Sequence, residues 1–151
     1  MILISPFAKP LRNGGEHPKN YPYWTELLSK IKEPVIQVGM DGEQQLVPDF
    51  RKGMSLPELK KLVLECKAWI SVDSFFQHFC WDIGKKGIVL FGTSDPFIFG
   101  HKENINLLKS RYYLRKNQFL YWENQEINKE AFVSPDVVIS ELVKLQNGNS
   151  L

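Results

Sequence analysis

Two short polar stretches of this chain carry the residue types that hold anions, and each follows an apolar run with strand character. Ala68-Trp-Ile-Ser71 leads through Val72 into Asp73-Ser74, with Phe75, Phe76 and His78 close behind, and Gly87-Ile-Val-Leu-Phe91 leads into Gly92-Thr93-Ser94-Asp95-Pro96. Open α/β sheets place their ligands beyond the carboxyl ends of the strands, so the chemistry is expected at these two turns. Asp73 and Ser74 stand where a helix begins. One reading is an ordinary N-cap. The other adds that a helix N-terminus offers free N–H groups and the positive end of its dipole, so that the Ser74 hydroxyl and the Phe75 and Phe76 amides suit a diphosphate. The second turn is either a capped turn, with Ser94 or Asp95 starting a short helix at Pro96, or the other side of a bracket around a phosphate chain.

Further candidates are cationic or acidic. Lys9, Arg12 and Lys19 lie in or beside a loop after the first apolar run, Ile2-Leu-Ile-Ser5. Solvation is the usual fate of such side chains, but from that loop Arg12 could grip a diphosphate as a fork and the lysines as point charges. Asp41 and Glu43 follow the second apolar run, where a carboxylate of a nucleotide-binding α/β fold can accept from ribose hydroxyls, Asp41 being the candidate; a turn former beside Gly42 accounts for them more simply. His78 is a lone helical histidine suited to binding or orientation, or to pairing with Asp82 one turn on, and lacks the nucleophile that base catalysis would need. His17 and His101 share no ligand spacing with it or with the cysteines, so no metal site is expected.

The elements that must position these groups alternate regularly. Ile2–Ser5 reads as a strand buried on both faces, and Phe7 to Pro18 as a long loop. Trp24, Leu27, Leu28 and Ile31 give the stripe of an amphipathic helix, with Pro22 in its first turn and Pro34 beyond it. Val35–Val38 is a second strand, and Gln45–Val47 a candidate short third one. Ser55 and Glu58 make a capping box for a helix with Leu56, Leu59, Leu62 and Val63 on its apolar face. Ala68–Ser71 is a strand, Phe75 to Ile83 a helix ended by Gly84, and Gly87–Phe91 a buried strand. This alternation argues for a mainly parallel sheet in a three-layer, Rossmann-like α/β domain spanning residues 1–151. Beyond Gly100, Arg111–Leu114 and Phe119–Trp122 resemble a hairpin turning at Lys116-Asn117, or one continuous edge segment. A strand pair with one buried face explains their basic and aromatic mix more simply than a surface for single-stranded nucleic acid. Ser134 and Pro135 start a last helix with Val138, Ile139, Leu142 and Leu145, and Asn147 to Leu151 is expected to fray.

Composition bounds the function. At 151 residues, with 43% hydrophobic and 24% charged residues, the chain can bury one core without metal or disulfide. A net charge of +2 implies no nucleic acid or anionic membrane partner. Cys66 and Cys80 fall among apolar helical neighbours and are expected as buried free thiols, which suits a reducing compartment. With no signal peptide and no apolar run of spanning length, a cytoplasmic location is expected.

These residues carry a family resemblance. The stretch from Ser71 to Pro96 resembles the nucleotide-sugar-binding half of the heptosyltransferases of bacterial lipopolysaccharide synthesis, glycosyltransferase family nine. Their second domain has a strand ending in Ser-x-Asp-Thr-Gly, a His four residues after the Thr, and a strand ending in Phe-Gly-x-Thr-Asp-Pro. Here those places hold Ser71-Val72-Asp73-Ser74, His78 and Phe91-Gly92-Thr93-Ser94-Asp95-Pro96. Upstream, Lys19-Asn20-Tyr21-Pro22-Tyr23-Trp24 is similar to the family's Lys-x-Trp-Pro-x-x-x-Trp. The resemblance covers roughly Ile2 to His101. It implies a domain like the C-terminal, donor-binding half of a GT-B glycosyltransferase, standing alone, and a nucleotide-diphosphate sugar as donor substrate with no further cofactor. The donor-binding residues it assigns, together with the loop cations, are Ser5, Lys9, Arg12, Lys19, Asp73, Ser74, Phe75, His78, Gly92, Thr93, Ser94 and Asp95. Phe75 stands where the family has a small Gly, and either covers the phosphate approach or stacks on a base. In the family the acceptor half comes first, so sugar transfer is expected to need an acceptor surface from a partner or a second copy. The alternative is a non-catalytic nucleotide or nucleotide-sugar binding, regulatory or interaction module.

Overall fold

A computed structural model describes residues 1–148. Six strands form one sheet: β1 (Ile2–Ser5), β2 (Val35–Gly39), β3 (Phe50–Lys52), β4 (Ala68–Val72), β5 (Ile88–Phe91) and β6 (Ile105–Leu108). Their order is β3-β2-β1-β4-β5-β6, and every pairing is parallel. Five α-helices, α1 (Trp24–Lys30), α2 (Leu56–Glu65), α3 (Phe75–Ile83), α4 (Pro96–Phe99) and α5 (Pro135–Gly148), link or cover the strands. The chain steps outward from β1 to β3, returns to the centre and leaves on the other side, so the order reverses between β1 and β4. A crevice opens at such a reversal in a doubly wound sheet.

Strand alternation divides the core in two. Ile2 and Ile4 of β1 face a cluster with Trp24, Leu27, Val138, Leu142 and Leu145, so α1 and α5 cover that side. Leu3 between them faces Leu59, Leu62, Val63, Phe76 and Cys80, so α2 and α3 cover the other. Strands covered on both faces read as nearly continuous apolar runs, and all four residues of β1, β4's five and β5's four are buried, Ser5 and Ser71 included. Ser55 accepts from the Glu58 amide and donates to its carboxylate, completing the capping box of α2. Gly84, at φ 88°, ends α3, its amide donating to the Cys80 and Trp81 carbonyls and the Lys85 amide to that of Cys80, a left-handed cap that a side chain would strain. Cys66 and Cys80 are buried and free.

Two expectations fail for identifiable reasons. Gln45–Val47 is not a strand: Pro48 interrupts a ladder there, and the segment is held instead by the buried Gln37 amide, which donates to the Gln44 carbonyl and accepts from the Leu46 amide. The third strand is Phe50–Lys52. Nor do Arg111–Leu114 and Phe119–Trp122 form a hairpin. Arg111–Tyr113 is a 3₁₀ turn begun by Ser110, and the Arg115 guanidinium, by donating to the carbonyls of Leu120 and Tyr121 at 2.9 Å each, takes the acceptors a strand partner would need. The sixth strand, Ile105–Leu108, is a half-buried edge that the sequence reading passed over. The last helix is found where expected but runs through Asn147 to Gly148; the remainder of the expected tail, 149–151, lies outside the described residues.

Gly92 illustrates a packing constraint on β5's exit. A Cβ there would stand 2.5 Å from the ring of Phe132, itself 2% exposed. Gly92→Ala should therefore cost about 1–3 kcal/mol by overpacking. Denaturant unfolding of Gly92→Ala, Phe132→Leu and the double variant checks this: the pair should be strongly non-additive, the smaller residue relieving the clash.

Candidate nucleotide-sugar site

A cavity of about 1330 Å³ opens at the carboxyl edge of the sheet. Its floor is Ser5, Val38, Gly39 and Asp73; its walls are the loop from Phe7 to His17, the first turns of α2 and α3, and residues 119–123. Lys9, Arg12, Lys19, Ser74 and Phe75 line it as well, so seven of the twelve residues assigned from sequence meet there (Ser5, Lys9, Arg12, Lys19, Asp73, Ser74 and Phe75).

The order of the site comes from Asp73. It is 3% exposed. Its Oδ1 accepts from Gln77 Nε2 at 2.6 Å, and its Oδ2 accepts from Ser94 Oγ at 3.0 Å and lies 3.3 Å from Lys19 Nζ. One carboxylate thus joins α3, the turn after β5 and the segment before α1. Ion pairs this sheltered are costly to break, because removal of one partner leaves the other unsatisfied in low dielectric. Asp73 is accordingly a positioning residue with its acceptors in use.

Ser74 is the opposite case. It occupies the N-cap position of α3 in extended backbone, yet its hydroxyl makes no capping bond, and its Oγ is a buried atom without a hydrogen-bond partner among the described residues. The first-turn amides of a nine-residue helix therefore open beside an idle hydroxyl on the wall of the cavity. That arrangement accepts an anion. Phe75, next to it, is 62% exposed and stands at the same wall, tilted against Phe79.

The loop above is fixed at its base and open at its tip. Asn20 Oδ1 accepts from the Ala8 amide at 2.8 Å, and Trp24 Nε1 donates to the Pro6 carbonyl at 3.1 Å. Gly14, at φ 79°, turns the tip, leaving Lys9 and Arg12 exposed toward the cavity. His17 accepts from the Lys19 amide through Nδ1. Burial, then the nearby Lys19 and Arg115, push its imidazole down to about 4, so it is neutral near pH 7.

The remaining five assigned residues lie off the cavity lining. Gly92 packs on Phe132. The Thr93 carbonyl accepts from the Arg115 amide and Gln118 Nε2. Ser94 serves Asp73, and Asp95 caps Phe97 while receiving both arms of Arg111, which holds its carboxyl below the usual range. The second turn is thus a joint that secures the following segment. His78 does not pair with Asp82: Trp81 stacks on His101 at 4.5 Å, which brings His101 Nε2 to 2.7 Å from His78 Nδ1. Burial first, then His101, lowers the His78 imidazole from its ordinary value.

Glu43 gains weight from the structure. Gly39 lacks the side chain that would collide with it, a Cβ there falling 2.0 Å from Oε2, so the carboxyl folds back over the end of β2, where it lines the cavity with a buried, unpartnered Oε2. Burial raises this carboxyl. Asp41 points outward, its side chain 94% exposed near Lys52. Arg115, Gln118 and Trp122 were missed because their roles depend on tertiary contacts; only the Arg-aromatic composition of that segment hinted at them. Among the described residues no group of three or more His, Cys, Asp or Glu could hold a metal, and no helix is long and apolar enough to cross a membrane.

Strand order, the crevice at its reversal and the open helix N-terminus define a Rossmann-like, doubly wound α/β domain. No protein-family model and no curated protein matches the chain. Solved structures do. The dodecameric iron-containing heptosyltransferase TibC, solved in complex with ADP-D-beta-D-heptose, superposes with a TM-score of 0.69 at 13% identity over 97% of this chain and 45% of that one. ADP-heptose lps heptosyltransferase II of E. coli gives 0.67 at 18% identity over 100% of this chain and 47% of that one. The chain therefore shares the fold of glycosyltransferases and spans just under half the length of each.

Two predictions separate structure from binding. Asp73→Ala should cost about 3 kcal/mol, since it strands a buried amide, a hydroxyl and an ammonium together, whereas Ser74→Ala, which breaks no bond, should stay within about 0.5 kcal/mol of wild type in the same urea titration.

Because Glu43 holds its proton more tightly folded than unfolded, the stability it supplies is complete below its unfolded value and is lost as pH rises through the raised folded one. Glu43→Gln stays neutral throughout. The melting temperature of the variant should therefore gain on wild type as pH rises above the ordinary carboxyl value of 4.5 in ligand-free thermal scans.

Proposed function

We propose that this chain binds a nucleotide-diphosphate sugar in the cavity at the carboxyl edge of its sheet, as the donor-binding domain of a glycosyltransferase. The observation that carries this reading is the open N-terminus of α3, with the idle Ser74 hydroxyl beside it, at the reversal between β1 and β4. The diphosphate takes the Ser74 hydroxyl and the first-turn amides of α3. Lys19, Lys9 and Arg12 balance its charge. Glu43 receives a ribose hydroxyl at the end of β2, and Met40, Met54, Leu56 and Phe76 offer an apolar wall to the base. The fold likeness to heptosyltransferases supports the class.

Transfer needs an acceptor hydroxyl in line behind the anomeric carbon, with a base to take its proton. Asp73 is committed to its three partners and is not assigned that role. The acceptor surface comes from a further domain, a partner or a second copy. One observation favours a second reading, an interaction module that has lost its ligand: Phe75, where the resembled family has glycine, stands exposed at the phosphate wall. Phe75→Gly then tightens binding if the ring obstructs and weakens it if the ring stacks on the base.

Calorimetry with ADP, GDP, UDP and CDP and their sugar conjugates tests the reading. At least one should bind, and Ser74→Ala and Arg12→Ala should each weaken it about tenfold, as loss of a charge-assisted hydrogen bond does. Absence of binding across that panel overturns the proposal.

A further inference from the structure

The cavity is larger than a nucleotide requires. Small-molecule clefts commonly enclose roughly 300–1,000 Å³, and this one reaches about 1330 Å³. Residues 119–123, beyond the stretch that resembles a known family, form one of its walls.

That segment has an unusual construction. Its backbone is held firmly: Arg115 donates to the carbonyls of Leu120 and Tyr121 and to Gln125, while Gln118 is tied to the Thr93 and Arg115 carbonyls and accepts from the Asp95 amide. Its rings are nevertheless left in water. Phe119 is 78% exposed and Tyr121 71% exposed. Trp122 is occupied otherwise, with the Arg115 guanidinium 3.8 Å from its ring centroid, Lys19 Nζ at 5.3 Å and His17 at 4.9 Å. Phe119 meets only the edge of Phe99, at 5.9 Å between centroids, and keeps most of its surface exposed; a fixed backbone that presents exposed aromatic rings at a cavity rim, when a contiguous exposed apolar patch is rare on a monomer, marks a binding surface. The polar groups beside it are Glu16, Glu123 and the neutral His17, all on the cavity lining. Apolar faces flanked by hydrogen-bond donors and acceptors match a pyranose, whose C–H face is apolar and whose rim carries hydroxyls.

We propose that Phe119 and Tyr121, held by the Arg115–Trp122 stack at the rim of the cavity, form a saccharide platform that takes one pyranose ring. The platform rests on the donor-site reading for its place beside the diphosphate but is tested apart from it. The ring belongs either to the donor sugar or to an acceptor saccharide, and the arms below distinguish these.

Calorimetry on the full chain compares ADP, UDP and GDP with ADP-glucose, ADP-heptose, UDP-glucose and GDP-mannose, and then titrates a neutral hexose trisaccharide with the best nucleoside diphosphate already bound. For Phe119→Ala and Tyr121→Ala, affinity for the nucleoside diphosphate should be unchanged. A loss of about three- to tenfold, the size expected for one aromatic stacking contact, confined to the nucleotide-sugars assigns the platform to the donor sugar; the same loss confined to the trisaccharide assigns it to an acceptor. Tyr121→Phe, which keeps the ring face, should restore most of the affinity. Far-ultraviolet circular dichroism and urea midpoints of the variants should match wild type, since both rings are exposed. The proposal is overturned if no sugar-bearing probe outbinds its nucleotide and the trisaccharide does not bind, if binding survives both alanine variants, or if the variants instead dissociate a dimer in sedimentation, which would make the patch a protein contact. Failure of the nucleoside diphosphates and the nucleotide-sugars alike to bind sinks the donor reading and leaves the trisaccharide, titrated on its own, to decide the platform.

Discussion

One buried carboxylate sets the geometry on which the candidate site depends. Asp73 leaves β4 at the point where strand order reverses, and its two oxygens gather a lysine, an amide and a hydroxyl from three separate stretches of chain. None of those stretches is joined to another by a sheet ladder at this edge. Without the carboxylate, the approach of the Lys19 segment to α3 would rest on side-chain packing alone. The same contact also tempers the field of the site. Lys19 is already paired with Asp73 before any ligand arrives, so under the proposed function a diphosphate would share it with that carboxylate and draw further charge from the exposed cations of the first loop.

The carboxyl edge as a whole is assembled by side chains bonding to backbone. Gln37 holds residues 44–46, Asn20 holds the base of the first loop, Gln118 joins the turn after β5 to the following segment, and Arg115 replaces a strand partner for Leu120 and Tyr121. Such bonds satisfy backbone amides and carbonyls without imposing a regular element, which lets long loops stay ordered around a wide cavity.

This construction explains how much could be read from the chain alone. The interior announces itself locally: Ile2–Ile4 and Ile88–Phe91 are apolar runs because both faces are covered, Ser55 and Glu58 cap their own helix, and Gly84 ends another. Asp73 and Ser74 were recognisable as a pair, but that one is fully engaged and the other idle depends on Gln77, Ser94 and Lys19 arriving from elsewhere. The motif around Gly92–Asp95 was legible as a turn, whereas its inward use follows from Arg111 and Gln118, too distant for any spacing rule. Glu43 depends on the empty side of Gly39. The mistaken hairpin had the right composition for strands; what overrode it was a single guanidinium occupying the carbonyls.

The central position of β1 has a kinetic consequence. Ile2 pairs with Val35 on one side and Ala68 on the other, and β4 in turn carries β5 and β6. β1 therefore has no complete seat until β4 has emerged, and every pairing in the sheet is parallel, so each joins segments separated by a loop or a helix. Loop closure must precede the reward from pairing, so this chain should fold slowly for its size, with the N-terminal strand waiting exposed and prone to wrong partners. The two faces differ in this respect. α2 and α3 lie in sequence between or beside the strands they cover and can dock early, while α5 closes the opposite face only after the whole sheet exists.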